Sequence, residues 1–330
     1  MTTQLTSPLT APTSANEIRI VRIYDAPVEL VWNAWTDLEQ VVQWWGPRGF
    51  TLTTHSKDLR PGGSWVYTMH GPDGTDWPNF ARYHEVVPHA LLVYDHGATA
   101  EDTKPMFRVT ASFRDLLGKT ELDMRMTLAT AEEAAMTRVH IKAAGGNATW
   151  DRLAEFLEKK VSSQEIFVIN RSFDAPVATV FDMWTTPAHL AAWLPPAGFT
   201  MAFQRADIRA GGTASMSMTM GDFAMFIRHE YVLVSRPDRL EYLQTFVDEH
   251  GHESRQPGAP TWPVTTRISV VFTEEAPSQT RVTVRFNVVA PATPEEIATF
   301  TAERAGMTQG WSVSFDALDA LLVGAVASEA

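Results

Sequence analysis

The feature that most constrains this chain is an internal duplication, in which one run of residues occurs twice. The first copy extends from Arg22 to Gly63, and the second extends from Arg171 to Gly212. Seventeen residues are identical at a constant separation of 149 positions, without a gap. A period of about 150 residues matches one ordinary domain and is too long for a solenoid or propeller unit. We therefore predict two tandem domains that share one fold.

Three segments are predicted from these boundaries. Residues 1–16 are rich in Ser, Thr and Pro and lack the basic and apolar regions of a signal peptide, so we expect a disordered tail. The first domain is predicted at 17–161 and the second at 162–330, with a short linker at about 161–165. A chain of 330 residues suits two domains that each bury their own core.

The composition excludes several classes of protein. Without cysteine the chain forms no disulfide and no thiolate zinc site, and it suits a reducing cytoplasm, where we expect it. The net charge of −12 argues against nucleic acid and anionic membrane as partners. No apolar run reaches about 18 residues, so no membrane span is expected. The sequence shows no P-loop, dinucleotide fingerprint, serine elbow or HExxH motif, and we expect no cofactor and no metal.

The period of the apolar residues changes in the same order along both copies. Glu17–Tyr24 alternates like a half-buried strand, and the i, i+3, i+4, i+7 spacing that begins at Val28 is typical of a short helix. A second short helix follows, and from Phe50 a period of two prevails. Each copy closes with a long helix, which Asn147 caps in the first copy and which begins after an interruption at Gly310 in the second. We predict an α+β fold, each domain having a curved antiparallel sheet of about 6–7 strands, two short helices and a long C-terminal helix.

The run DAPVELVWNAWTD…WWGPRGF…DLRPGGSW resembles the opening motif of the SRPBCC superfamily of START-like, helix-grip domains. The branch that it resembles is that of the activator of the heat-shock-protein-90 ATPase homologue, whose C-terminal helix signature is similar to Gly310–Trp311 followed by Asp316–Leu318. The resemblance covers nearly all of 17–325. It implies a cavity between the sheet and the long helix that holds lipids, polyketides or other apolar small molecules.

Three functions follow from this resemblance. The first is binding of a hydrophobic small molecule, polyketide-, aromatic- or lipid-like, in one or both cavities, in natural-product biosynthesis or self-protection. The second is a cofactor-free cyclase, aromatase or hydrolase that uses Tyr and His in the cavity. The third is a chaperone-regulating interaction protein, which is weakened because the eukaryotic activators carry another domain where this chain has only its residues before Glu17.

The candidate ligand-binding residues are aromatic and thioether side chains that recur in the two copies. They are Trp44, Trp45, Trp65, Tyr67, Met69 and Tyr94 in the first copy, and Trp193, Met216, Met218 and Tyr242 in the second. Trp44 and Trp193, at the end of the second short helix, are either lids at the mouth of the cavity or core residues. The methionines either adapt to varied ligands or pack as ordinary core.

The catalytic candidates are Tyr83, His84, Tyr231 and His229, since phenols and imidazoles in an apolar cavity can act as general acids and bases. The alternative is a partly buried tyrosine that a backbone carbonyl satisfies. The cluster Asp248–Glu253 has residue types that bind metals. It lies in a Gly- and Pro-rich insertion that the first copy lacks, and we interpret it as a solvated loop.

The two copies differ in aromatic bulk on the predicted inner face. The residues Trp32, Trp45, Trp65 and Tyr67 of the first copy correspond to Phe181, Leu194, Ala214 and Met216 of the second. The first three exchanges remove aromatic bulk, and the last introduces a flexible thioether. We therefore predict that the second domain has the larger cavity.

Overall fold

The computed structural model describes residues 14–100, 104–143, 148–161 and 166–329. The predicted tail before Ser14, the predicted cap Asn147 and the predicted linker at 162–165 lie outside the described residues. The chain divides into two compact units, Met1–Val161 and Ser162–Ala330. Each unit has its own sheet and its own hydrophobic core.

The first domain contains seven strands and four helices among its described residues. In chain order they are β1 (Glu17–Tyr24), α1 (Val28–Thr36), α2 (Leu38–Val41), β2 (Thr51–Lys57), β3 (Ser64–His70), β4 (Asp76–Val87), β5 (Leu91–Gly97), β6 (Phe107–Asp115), β7 (Thr120–Thr127), α3 (Ala131–Ala143) and α4 (Ala148–Val161). The strands form one antiparallel sheet in the order β1-β7-β6-β5-β4-β3-β2. The sheet is open, with β1 and β2 at its two edges.

The second domain repeats this order. Its elements are β8 (Ile166–Phe173), α5 (Val177–Thr185), α6 (Pro187–Trp193), β9 (Thr200–Ala206), β10 (Thr213–Met220), β11 (Phe223–Ser235), β12 (Arg239–Val247), β13 (Thr265–Ala276), β14 (Gln279–Val288), α7 (Pro294–Ala302) and α8 (Arg304–Glu329). The sheet order is β8-β14-β13-β12-β11-β10-β9. The predicted α+β fold, with seven-stranded sheets and a long closing helix, is confirmed in both copies.

The duplication preserves strand register as well as element order. Thr54 pairs with Tyr67 across β2 and β3, and Phe203 pairs with Met216 across β9 and β10. In each copy the register shifts by one residue immediately after this pair. A β-bulge at the same place bends both edge strands alike. The constant separation of 149 residues therefore holds in the structure, as predicted.

The short helices cover the same part of the sheet in both domains. The ring centroid of Trp35, on α1, lies 5.7 Å from that of Phe113 on β6. In the second domain the ring of Trp184, on α5, lies 5.9 Å from that of Phe272 on β13. Edge-to-face aromatic pairs of this kind stabilise the packing of a helix on a sheet.

Two sequence predictions about the ends of elements need correction. Gly310 does not interrupt the last helix, because α8 is continuous over 26 residues. A helical glycine costs about 1 kcal/mol relative to alanine, and burial of Phe315, Leu318 and Leu322 against the core outweighs that cost. Ordered structure also begins before residue 17, since Asn16 and Leu128 exchange hydrogen bonds of 3.0 and 2.9 Å.

Gly212→Ala tests the turn that precedes β10. A Cβ at Gly212 would lie 2.2 Å from the carbonyl oxygen of Asp207, and the same distance separates a Cβ at Gly63 from Asp58 O. The backbone must move to accept a methyl group there. We expect the free energy of unfolding to fall by more than about 2 kcal/mol, measured by urea denaturation.

Gly310→Ala is the matched control for that experiment. A Cβ at Gly310 meets no described atom within 4 Å. Alanine in this helix should raise the free energy of unfolding by about 0.5–1 kcal/mol. A Gly212→Ala variant that is as stable as the unmutated protein would contradict the assigned turn geometry.

Candidate functional site

The second domain holds a cavity of about 390 Å³ between the sheet and α8. Its floor is the inner face of β10 to β14, and its roof is the face of α8 that carries Met307, Gly310 and Trp311. The connection after α6 forms one side through Leu194 and Pro196. Most of the lining side chains are apolar, so the cavity favours an apolar guest.

The first domain has a related cavity of about 250 Å³. It lies under α3 and α4 and is lined by the inner faces of β1 and β3 to β7. Trp45 and Tyr67 fill part of the space that Leu194 and Met216 leave open in the second domain. The second cavity is therefore the larger one, which confirms the prediction from aromatic bulk.

An insertion supplies a further wall of the second cavity. The connection between β12 and β13 covers residues 248–264, and it brings Gln256, Gly258, Ala259 and Trp262 to the lining. The ring of Trp262 packs 5.4 Å from Phe300 of α7. The sequence interpretation of the cluster Asp248–Glu253 as a solvated loop agrees with the exposure of Glu249 to Glu253. The later residues of the insertion, from Gln256 to Trp262, contribute to the cavity wall instead.

Seven of the ten predicted ligand-binding residues line a cavity. They are Trp45, Tyr67, Met69 and Tyr94 in the first domain and Met216, Met218 and Tyr242 in the second. Trp45 and Tyr67 also contact one another edge to face, with ring centroids 6.4 Å apart. These side chains line the two cavities, and their role in binding is a proposal.

Trp44 and Trp193 do not lie at a cavity mouth, and this expectation is corrected. Both are fully buried, at 1% and 0% exposure. The indole nitrogen of Trp44 donates to Ala34 O at 2.8 Å, and that of Trp193 donates to Met183 O at 2.9 Å. Each tryptophan therefore fastens its short helical segment to the preceding helix, which is a structural role.

Trp65 also lies outside the lining of the first cavity. Its ring stacks on Tyr67 with centroids 4.0 Å apart and lies 5.2 Å from Trp45. Its indole nitrogen donates to Thr54 Oγ1 on the neighbouring strand. Trp45 and Tyr67 thus separate Trp65 from the open space, and Trp65 belongs to the core.

Of the four catalytic candidates, only His229 lines a cavity. His84 lies on the outer face of β4, because side chains alternate along a strand, and its Nε2 atom contacts Asp95 at 2.7 Å. Tyr83 and Tyr231 are buried next to the turns that precede β3 and β10, where their backbone groups pair with glycine. His84, Tyr83 and Tyr231 are therefore not placed for catalysis in the cavity.

His229 and its neighbours define the polar end of the second cavity. Its ring lies 4.4 Å from that of Tyr242, and its Nε2 atom lies 3.2 Å from Oε1 of Gln244. Burial lowers the pKa of His229 to about 4, so the imidazole is neutral near pH 7. Burial raises the pKa of Tyr242, which keeps its phenol protonated. The pair can exchange hydrogen bonds with a guest, and neither group carries charge.

The first cavity has its own neutral histidine, which the sequence analysis did not identify. His96 lines that cavity and stacks on Phe107, with ring centroids 4.6 Å apart. Burial lowers the pKa of His96 to about 4. Its position two residues after Tyr94 on β5 was readable from strand alternation.

The loop that borders each cavity is held differently in the two domains. In the first domain Arg152 donates to the carbonyl oxygens of Gly46 and Pro47, both at 2.8 Å, and Arg48 pairs with Glu155 at 2.5 Å. In the second domain Ser314 Oγ donates to Leu194 O at 2.8 Å. Alignment of the ion pairs Arg22–Asp151 and Arg171–Asp316 makes Ala317 the counterpart of Arg152. The second domain therefore lacks the arginine that holds this loop in the first.

The residues of α8 that line the second cavity could have been found in the sequence from helix periodicity. Met307, Gly310, Trp311 and Ser314 follow the i, i+3, i+4, i+7 spacing of one helix face. The sequence analysis missed this face because it predicted that the helix is interrupted at Gly310.

The acidic and histidine-rich cluster Asp248–Glu253 forms a turn. Asp248 Oδ1 accepts hydrogen bonds from the backbone nitrogens of His250 and His252, both at 2.9 Å. Across the described ranges, no group of three or more His, Asp or Glu side chains is arranged to hold a metal ion. No helix in the described part of the chain is long and apolar enough to cross a membrane.

A duplicated sheet, a closing helix and a cavity between them define a tandem START-like protein of the SRPBCC type. The family described as Activator of Hsp90 ATPase homolog 1-like protein matches residues 25–158 and again 174–323. The chain therefore belongs to this family and contains two copies of its domain. No match was found among curated proteins.

Some solved structures match about half of this chain, and others match nearly all of it. A protein from Nitrosomonas europaea is 22% identical, with a TM-score of 0.42 over 46% of this chain and 99% of its own. A protein from Mycobacterium smegmatis is 23% identical, with a TM-score of 0.41 over 48% and 91%. The di-domain ARO/CYC BexL from the BE-7585A biosynthetic pathway is 13% identical, with a TM-score of 0.38 over 93% and 98%.

His229→Gln tests the neutral buried imidazole. The pKa of His229 is about 4 in the folded protein, below its ordinary value of 6.5. Between these values the unfolded chain binds a proton that the folded chain does not, so stability falls as pH decreases from 6.5 to 4. Above pH 6.5 this contribution is absent. We expect the variant to lose less melting temperature than the unmutated protein between pH 7.5 and pH 5.

Tyr231→Phe is the control, since its ring lies 6.2 Å from that of His229 and burial raises the pKa of its phenol. Its pH dependence should parallel that of the unmutated protein. Parallel curves for His229→Gln as well would show that His229 is not a buried neutral group.

Proposed function

We propose that the protein binds an apolar small molecule in the cavity of its second domain. The observation that carries this proposal is the open space of about 390 Å³ under α8, which is lined mainly by apolar side chains. Small-molecule sites typically combine such a lining with a few polar groups that orient the guest. His229, Gln244 and Tyr242 are polar groups of this kind.

Four methionines support a site that adapts to its guest. They are Met216, Met218, Met225 and Met307. Methionine side chains are unbranched and polarizable, so they repack around apolar surfaces of different shape. Trp262 and Trp311 add broad aromatic faces on the opposite wall. A flat polycyclic guest fits this arrangement of thioethers and indoles.

The energetics predict a weak affinity for a small apolar guest. Burial of about 300 Å² of apolar ligand surface at about 25 cal/mol per Å² contributes several kcal/mol. Loss of translational and rotational freedom offsets part of this gain. Aromatic contacts with the ligand add about 0.5–1.5 kcal/mol each. The remainder of about 4–5.5 kcal/mol corresponds to a dissociation constant of about 100 μM to 1 mM.

Gly310→Leu tests the proposal by filling the cavity from its roof. A Cβ at Gly310 meets no described atom within 4 Å, and Gly310 lines the cavity, so the larger side chain extends toward open space. We expect polycyclic aromatic ligands to change the tryptophan emission of the unmutated protein saturably. The variant should bind at least about tenfold more weakly, a loss of about 1.4 kcal/mol.

Gly306→Leu is the matched control, because Gly306 lies on α8, is exposed and is not among the cavity-lining residues. This variant should bind like the unmutated protein. If no ligand in a broad panel perturbs the emission, or if Gly310→Leu binds normally, the second cavity is not a ligand site.

A further inference from the structure

The second cavity presents hydrogen-bond acceptors that have no protein donor. His229 makes its one side-chain hydrogen bond through Nε2, to Oε1 of Gln244 at 3.2 Å. An amide oxygen only accepts, so Nε2 carries the proton. In the neutral ring Nδ1 then holds a lone pair and can only accept. Nδ1 is buried and has no hydrogen-bond partner among the described residues.

Gln256 supplies a second acceptor at this cavity. Its Oε1 atom is shielded from solvent and has no hydrogen-bond partner within the described ranges. The Gln256 amide lies against Gly258, whose added Cβ would be 3.4 Å from that oxygen. Both residues line the cavity. Buried acceptors without donors destabilise a folded protein, so their presence beside open space indicates that a guest provides the donor.

These acceptors are particular to the second domain. Gly62 N bonds to Tyr83 O in the first domain as Gly211 N bonds to Tyr231 O in the second. This equivalence places Ala81 where the second domain has His229, two residues earlier on each strand. Gln256 comes from the insertion between β12 and β13, for which the first domain has only a short connection. Among the described residues that line the first cavity, neither group has a counterpart.

The charges around the second cavity disfavour an anionic guest. Its described lining contains no lysine or arginine, and Glu303 is its one charged side chain. A carboxylate would face two acceptors and a negative charge without a cation to balance it. A neutral guest with a donor group satisfies the acceptors without this cost.

We propose that the second cavity binds a neutral apolar ligand that carries a hydroxyl group, a phenol or an alcohol, and that this hydroxyl donates a hydrogen bond to His229 Nδ1 or Gln256 Oε1. The proposal rests on the proposed function, since it specifies the ligand class for the same cavity. It assigns His229 and Gln256 as specificity-determining residues, and it excludes fatty acids as preferred ligands.

The test compares three probes that share one ring system: 2-naphthol, 2-methoxynaphthalene and 2-naphthoate. The methoxy compound keeps the oxygen and removes the donor, and the naphthoate adds a negative charge. Isothermal titration calorimetry on the full chain should give about tenfold tighter binding for 2-naphthol than for 2-methoxynaphthalene, which corresponds to about 1.4 kcal/mol. Naphthoate should bind most weakly.

Variants then assign the preference to particular atoms. His229→Phe keeps an aromatic ring and removes the imidazole acceptor. Gln256→Leu removes the amide acceptor and keeps a side chain of similar size. Thermal unfolding confirms that each variant is folded. Because His229→Phe also leaves Gln244 Oε1 without its donor in the same cavity, Gln244→Leu is added to these two changes. The resulting triple variant should bind both neutral probes equally. His96→Phe, which removes the histidine of the first cavity, should keep the full preference. Gln256 is only half-buried, so its variant remains informative if His229→Phe fails to fold.

The outcomes separate this proposal from the proposed function. Equal binding of 2-naphthol and 2-methoxynaphthalene to the unmutated protein overturns the hydroxyl proposal and leaves ligand binding intact. A preference that survives in the triple variant overturns the assignment to His229 and Gln256. If none of the three probes binds, the proposed function fails and this proposal fails with it.

Discussion

The hydrogen bond from the Trp44 indole to Ala34 O, repeated from Trp193 to Met183 O, is the interaction on which the cavity side of each domain depends. This hydrogen bond fixes the second short helical segment of each domain against the first helix, α1 or α5. That first helix in turn packs Trp35 or Trp184 against the sheet. The loop that borders each cavity leaves from this fixed point. A buried indole whose N–H group is hydrogen-bonded provides apolar packing and also fixes the orientation of the segment that carries it. The tandem domains share this frame almost unchanged.

The two domains share this arrangement of sheet and short helices, but their cavity walls differ. The first domain fills the space with Trp45 and Tyr67 and ties its bordering loop to α4 through Arg152. The second domain has smaller or more flexible side chains at these positions, and the 248–264 insertion adds new wall residues. Strand pairing and aromatic anchors tolerate such changes because they depend on backbone register and on the buried indoles. This separation explains how one fold accommodates a compact cavity and a roomier one in the same chain.

The sequence predicted the fold because its signals are local and repeated. Strand alternation, turn glycines such as Gly63 and the constant offset all constrain the backbone directly. Side-chain placement was harder to predict. Trp44 and Trp193 were open to two interpretations, since periodicity does not show whether a buried indole faces a void or a carbonyl group. His84 and His229 look alike in sequence. Only the strand face distinguishes His84, which makes an exposed hydrogen bond to Asp95, from His229, which lines a cavity. Gln256 and Trp262 depend on the path of an insertion, which carries no periodicity.

Methyl NMR of the protein labelled at its methionine methyl groups tests the central claim most directly, because each cavity has its own methionines. Met216, Met218, Met225 and Met307 line the second cavity, whereas Met69, Met124 and Met126 line the first. The exposed Met106 and Met136 serve as internal references. On titration with 2-naphthol, the four resonances of the second cavity should shift together and saturably while the references stay fixed. Shifts confined to the first cavity, or none at all, would contradict the assignment of the second domain as the ligand site.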